Sequence, residues 1–84
     1  MPSKTDYVER FLAAFKLNAY LVVMFEDSVA KYRQGNTSAF IRRCANCNIA
    51  TNHDNMHFKN LQEYHDNLAD SAELAIRLYK ENAG

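Results

Sequence analysis

Two glycines, one proline, two cysteines and no tryptophan stand in 84 residues, and each scarcity excludes something. With Pro2, Gly35 and Gly84 as the only helix breakers, nearly the whole chain is free to be helical. Two cysteines three residues apart cannot build the multi-bridge framework of a secreted mini-protein. The longest unbroken apolar run, Ala19 to Phe25, falls far short of a membrane span. The polar start from Met1 to Asp6 does not read as a signal peptide, and the Asn36-Thr37-Ser38 sequon matters only in a secreted chain. No glycine-rich phosphate loop is present, and no serine sits in a sharp elbow or beside a positioned histidine. A soluble, cytoplasmic, non-enzymatic protein without a cofactor is the expectation.

Acid is also missing over a long stretch. Ten basic and ten acidic residues cancel, so no strong global field attracts nucleic acid or an anionic membrane. Yet nothing between Asp27 and Asp54 is acidic, while Lys31, Arg33, Arg42 and Arg43 fall there. That segment carries about four positive charges, and the last third has six acids against three bases.

What is present is helical periodicity. Ser3 and Asp6 resemble a capping box, opening a helix that can run to Gln34, and Gly35 suits the left-handed residue that closes one. Val8, Phe15, Val22 and Val29 alternate with Phe11, Asn18, Phe25 and Tyr32 as a heptad seam on this helix. A second apolar stripe, Ala13, Leu17, Tyr20, Leu21 and Met24, lies well around the cylinder from the first. A helix apolar on two sides needs two partners, which predicts that it is the central element. Asn18, a polar residue at a seam position, has three readings: pairing with a symmetry mate, bonding to a neighbouring helix, or facing water.

Asn36 or Thr37 can cap a short helix to about Asn48, with Phe40, Ile41, Cys44 and Cys47 on one face. Thr51 and Asp54 fit a capping box for a last helix to about Glu81. Its seam is Leu61, Tyr64, Leu68, Ala72, Ala75 and Leu78, backed by Phe58, Ile76 and Tyr79. Glu73 and Arg77 are spaced for an ion pair. The expected fold is a single all-α domain over 1–84: an antiparallel hairpin of two long helices with a short linking helix, a three-helix bundle dimerised through its first helix. The short helix covers only part of the groove between the long ones. Leu17, Tyr20, Leu21 and Met24 are then left as a surface for a protein partner or a second copy.

Two further constellations carry chemistry. Cys44-x-x-Cys47 followed by His53 and His57 supplies the ligand count of a zinc site. Both cysteines, however, lie on the stripe of Phe40, where buried thiols are the ordinary outcome, and no metal is favoured. A redox Cys-x-x-Cys lacks any βαβ context. His53, His57 and His65 project to the apolar arc of the last helix. Lys31, Arg33, Arg42 and Arg43, with nearby asparagines, offer a basic tip for DNA or RNA. The leading reading is a small interaction module, an inhibitor, adaptor or regulator of a larger complex. The alternatives are a nucleic-acid-binding regulator and a zinc-stabilised module. Small size and missing motifs also suit phage or plasmid accessory proteins.

Overall fold

The computed structural model of the chain describes residues 4–50 and 54–82. These form four α-helices, α1 (Lys4–Leu17), α2 (Tyr20–Arg33), α3 (Thr37–Asn46) and α4 (Leu61–Asn82), with a 3-10 turn at Asp54–His57. Among the described residues there is no strand.

The long first helix expected from the periodicity is two helices. A continuous helix of that length spans roughly 45 Å, more than the 38 Å longest extent of the molecule. The break falls at Asn18, whose side-chain carbonyl accepts the Tyr20 N–H at 3.1 Å. Its own carbonyl accepts the Leu21 N–H at 3.0 Å. This local bonding is the competition that makes asparagine a poor residue inside a helix and a good one at its edge. Of the three readings of Asn18, exposure to water matches the structure, and the local turn that its side chain makes is in none of them.

Beyond the break the chain reverses. The Phe25 ring meets that of Phe11 at 5.1 Å and that of Phe15 at 6.0 Å. In one straight helix Phe11 and Phe25 stand roughly 21 Å apart along the axis. Ring contacts of Tyr7 with Tyr64 and of Phe15 with Tyr79 show α1 running parallel to α4. Polar contacts of Glu26 with Lys80 and of Tyr32 with Asp66 show α2 running antiparallel to it. Seven of the eight residues of the heptad seam, Val8, Phe11, Phe15, Val22, Phe25, Val29 and Tyr32, are buried, and the eighth, Asn18, is exposed at the break. The seam folds onto itself instead of presenting one long stripe.

α1 and α2 both pack against α4, and α2 packs against α3 and α1 as well, so the second half of the expected first helix is the element that meets all three other α-helices. Ala69, Ser71, Ala72 and Ala75 are fully buried, and such small side chains let helices approach closely. α4 begins later than the Thr51 capping box implies. Asn60 accepts the Glu63 N–H at 2.8 Å and serves as its cap. Thr51 itself lies outside the described residues, as does Ser3. Phe58, ahead of α4, stacks on Tyr7 and tilts against Tyr64. Glu73 meets Arg33 across the helices rather than the expected Arg77.

Helix ends follow local chemistry closely. Gly35 has φ +103°, the Gly35 N–H donates to Tyr32 O and the Asn36 N–H donates to Lys31 O, a Schellman stop for α2. Asn36 then caps α3 by accepting the Ala39 N–H. α3 stops the same way, with Asn48 at φ 59° and the Ile49 N–H on Cys44 O. Ile49 and Cys44 are both buried at that stop, the apolar contact that accompanies the motif.

Candidate interaction surface

Leu17, the last residue of α1, and Tyr20, the first of α2, flank the reversal and stand 90 % and 66 % exposed. Val23, one turn along α2 from Tyr20, is 57 % exposed. Leu21 is half-buried against the core, and Met24 is half-buried. The partner surface expected from the second stripe is thus divided. Leu17 and Tyr20 are brought together at a convex corner, while Leu21 and Met24 form its base. Met24 is held further by Arg43, whose Nη1 approaches its Sδ at 3.7 Å. Val23 was missed, although an apolar residue at i+3 from Tyr20 marks the same side of the helix.

The corner is unusual within this chain. The sequence has five tyrosines and five phenylalanines. Among the described residues every one except Tyr20 packs against another aromatic ring. From Ala13 to Phe25 the only charge is Lys16.

A second apolar feature lies at the opposite end. Ile41 and Ala45 of α3, Ala50 after it, Asn55, and Leu61, Tyr64 and His65 of α4 line a cleft of about 420 Å³. It opens where α3, packed on α2, stands off from α4. Leu61, expected in the seam, is 56 % exposed because α4 starts at that residue. Met56 nearby is 77 % exposed. Burial lowers the His65 imidazole pKa from its ordinary value, with the Asp66 carboxylate opposing.

The four cations of the basic segment do not converge. Arg33 bridges to Asp70 at 2.8 Å and Glu73 at 2.6 Å on α4, contacts that raise its pKa still further. Arg43 donates from Nε to Ser28 Oγ at 2.9 Å, and Lys31 pairs with Asp27 at 3.0 Å. Among the described residues Arg42 alone of the four has no hydrogen bond or ion pair.

The cysteines and histidines are similarly spread. Cys44 is fully buried, Cys47 half-buried, and His57 exposed; His53 lies outside the described residues. Among the described residues no group of three or more His, Cys, Asp or Glu side chains is arranged to hold a metal ion. Burial pushes the Cys44 thiol far above its usual range, with Cys47 adding to the effect. A thiol needs its thiolate to react. Cys47 is expected to label with a maleimide in the native protein, while Cys44 labels about a thousandfold slower, at the rate of unfolding. Mass spectrometry of partially labelled protein reads this out, and equal rates at both positions would contradict the burial.

The elements that position these features also define a polar anchor. Arg10 Nη1 donates to Ile49 O at 2.9 Å and to Asp54 Oδ2 at 3.0 Å, tying α1 to both ends of the segment between α3 and the 3-10 turn. Burial raises the Tyr7 phenol well above its usual range, and the Asp54 carboxylate reinforces this. Within the described residues no helix is long and apolar enough to cross a membrane. Comparisons with protein-family models, curated proteins and solved structures find no match.

Proposed function

We propose that the chain is a non-enzymatic protein-interaction module, an inhibitor, adaptor or regulator of a larger complex, that docks through the α1–α2 corner. The observation that carries this is Tyr20, the one tyrosine or phenylalanine among the described residues without a ring partner, flanked by exposed Leu17 and Val23. A chain that packs nine phenylalanine and tyrosine rings against one another, seven buried and two half-buried, and leaves the tenth in water gives up the stabilisation that ring offers to the core. Tyrosine at the centre of an apolar patch is the usual anchor of an interface, because it brings large area at low entropic cost. Self-association, expected from the same stripe, is one form this docking takes.

The basic segment supports a nucleic-acid contact less well, since three of its four cations serve α2, α3 or α4. One arginine without a partner among the described residues contributes only a small salt-dependent affinity.

The test is site-specific crosslinking in the native cell. A photoreactive phenylalanine analogue in place of Tyr20 is expected to give a light-dependent protein adduct. The same analogue at exposed Gln34, at the other end of α2, is expected to give none. Tyr20→Ala is expected to weaken the interaction about thirtyfold, the range of an interface hot spot. Equal adducts at both positions, or none at either, would count against the corner.

A further inference from the structure

The seam shared by α1 and α2 does not slip at the break. From Val8 to Tyr32 its residues follow one another in alternating steps of three and four, straight through Asn18. The backbone hardly leaves the helix there. The Asn18 N–H still donates to Ala14 O at 3.0 Å, and Ala19 holds helical angles, φ −61° and ψ −23°. The reversal is centred on Asn18. Turning that residue to helical angles joins α1 and α2 into the single long helix that the spacing describes. Leu21 and Val22, whose N–H groups donate to Asn18 O and Ala19 O at the break, then regain partners four residues back.

α1 is joined to the rest of the fold through Asn18 and Ala19. It is held in place by residues remote in sequence. Tyr7 meets Tyr64, Phe11 meets Phe25, Phe15 meets Tyr79, and Arg10 bonds Ile49 O and Asp54. Each of these contacts forms equally well when α1 belongs to a second copy. We propose that two copies exchange α1, each straightening at Asn18, to give a two-fold symmetric dimer. The exchange rests on the reading of the corner as a docking surface, and names the occupant as this same chain.

The exchange also accounts for the corner. Phe25 packs on Phe11 and Phe15, so in the dimer the two long helices run antiparallel and cross midway between those positions, at residues 18–20. Leu17 and Tyr20 then leave the tip of one molecule and meet their counterparts at the two-fold axis. Val23 lies one turn further along. Between Ala13 and Phe25 each copy brings a single charge, Lys16, to the crossing, so little charge is desolvated there. A formal net charge of zero leaves no long-range repulsion between copies. The interface closes at two copies, because each α1 fills the place that the other has vacated.

The test reverses charge across the boundary of α1. Arg10→Asp sets a carboxylate against Asp54, and Asp54→Arg sets a guanidinium against Arg10, so each variant by itself holds a like-charged pair. In an exchanged heterodimer the substituted α1 packs on the substituted position 54 of the other copy, and both halves regain opposite charges. An equimolar mixture refolded from urea at millimolar concentration is expected to give about tenfold more heterodimer than either homodimer by native mass spectrometry. Association without exchange leaves the three species in statistical proportions. If either variant is unfolded alone, recovery of helix by circular dichroism on mixing reports the same exchange. Two hinge variants of the unsubstituted chain complete the test. Asn18→Ala removes the acceptor of the Tyr20 N–H and favours helix, and is expected to strengthen dimerisation about a hundredfold by sedimentation equilibrium. Ala19→Pro suits the observed φ and interrupts a continuous helix, and is expected to leave a folded monomer. Statistical proportions in the mixture, no dimer at millimolar concentration, or dimerisation unmoved by the hinge variants would overturn the exchange. An adduct from position 20 to a different protein, with no exchange in the mixture, would overturn it too and leave the docking surface standing.

Discussion

Phe25→Ala is expected to remove most of this protein's stability, about 3–5 kcal/mol against a total on the order of 5 kcal/mol for so small a core. Phe25 is fully buried and joins three helices. Its ring meets Phe11 of α1 edge-on at 5.1 Å and tilts against Phe15 at 6.0 Å. It meets Phe40 of α3 edge-on at 6.4 Å. Each such pair adds about 0.5–1.5 kcal/mol beyond the area buried. The cavity cannot close easily, because the neighbouring rings are held by contacts of their own, Phe15 to Tyr79 and Phe40 to Tyr32. Urea titration followed by circular dichroism reads the loss. Phe25→Leu, which keeps most of the volume, is expected to cost less than half as much. A loss below about 1 kcal/mol for the alanine variant would show that the reversal of α1 onto α2 does not depend on this ring.

Arg10→Ala is expected to cost about 2–3 kcal/mol through loss of a partly buried ion pair and a hydrogen bond. The Arg10 side chain is 38 % exposed and that of Asp54 9 %, so the pair is screened on one side only. Without the guanidinium, the Asp54 carboxylate keeps its burial and loses this ion pair, and the carbonyl of buried Ile49 loses a donor. The guanidinium also sits 5.1 Å from the Tyr7 ring centroid, a further favourable contact. Arg10→Lys keeps the charge but not the planar fork, and is expected to recover only part of the loss. The effect has a location as well as a size. Amide exchange at Ile49, Ala50 and Phe58 is expected to accelerate before that of the α4 interior. Uniform acceleration across all helices would show that Arg10 stabilises the whole domain and does not pin this segment.

Which residues are inside was largely legible in the sequence. Val8, Phe11, Phe15, Val22, Phe25, Val29 and Tyr32 were assigned to a seam by spacing alone, and all are buried. Burial depends on helical period, and period survives a break that restarts the helix in a compatible phase. Direction does not survive it. The same apolar positions serve a straight helix or a folded pair equally well, so the spacing could not tell that α1 runs parallel to α4. Asn18 was the visible signal. Its turn-forming bond to Tyr20 N–H is worth only about 1 kcal/mol, too little to overrule continuous helix until Phe25 has Phe11 and Phe15 to pack against.

The surface was legible in part, for a related reason. Leu17 and Tyr20 were named as exposed, and they are; Leu21 and Met24 came with them and lie half-buried at the base. The basic segment looked like one feature in sequence and is several in space, because Arg33 and Arg43 reach acceptors on α4 and α2, far from them along the chain. The cleft had no sequence signature, since its lining comes from α3, the segment after it and the start of α4.

The sequence by itself determined that the chain is helical, where α2 and α3 stop, and most of the side chains that are buried. These follow from interactions within a turn or two: a glycine at positive φ, an asparagine cap, an apolar repeat. Only the tertiary structure decided the reversal at Asn18, the packing of α1 and α2 on α4, the dispersal of the basic residues, and the two apolar ends. Those depend on contacts between residues distant in the chain, whose energies local spacing does not encode.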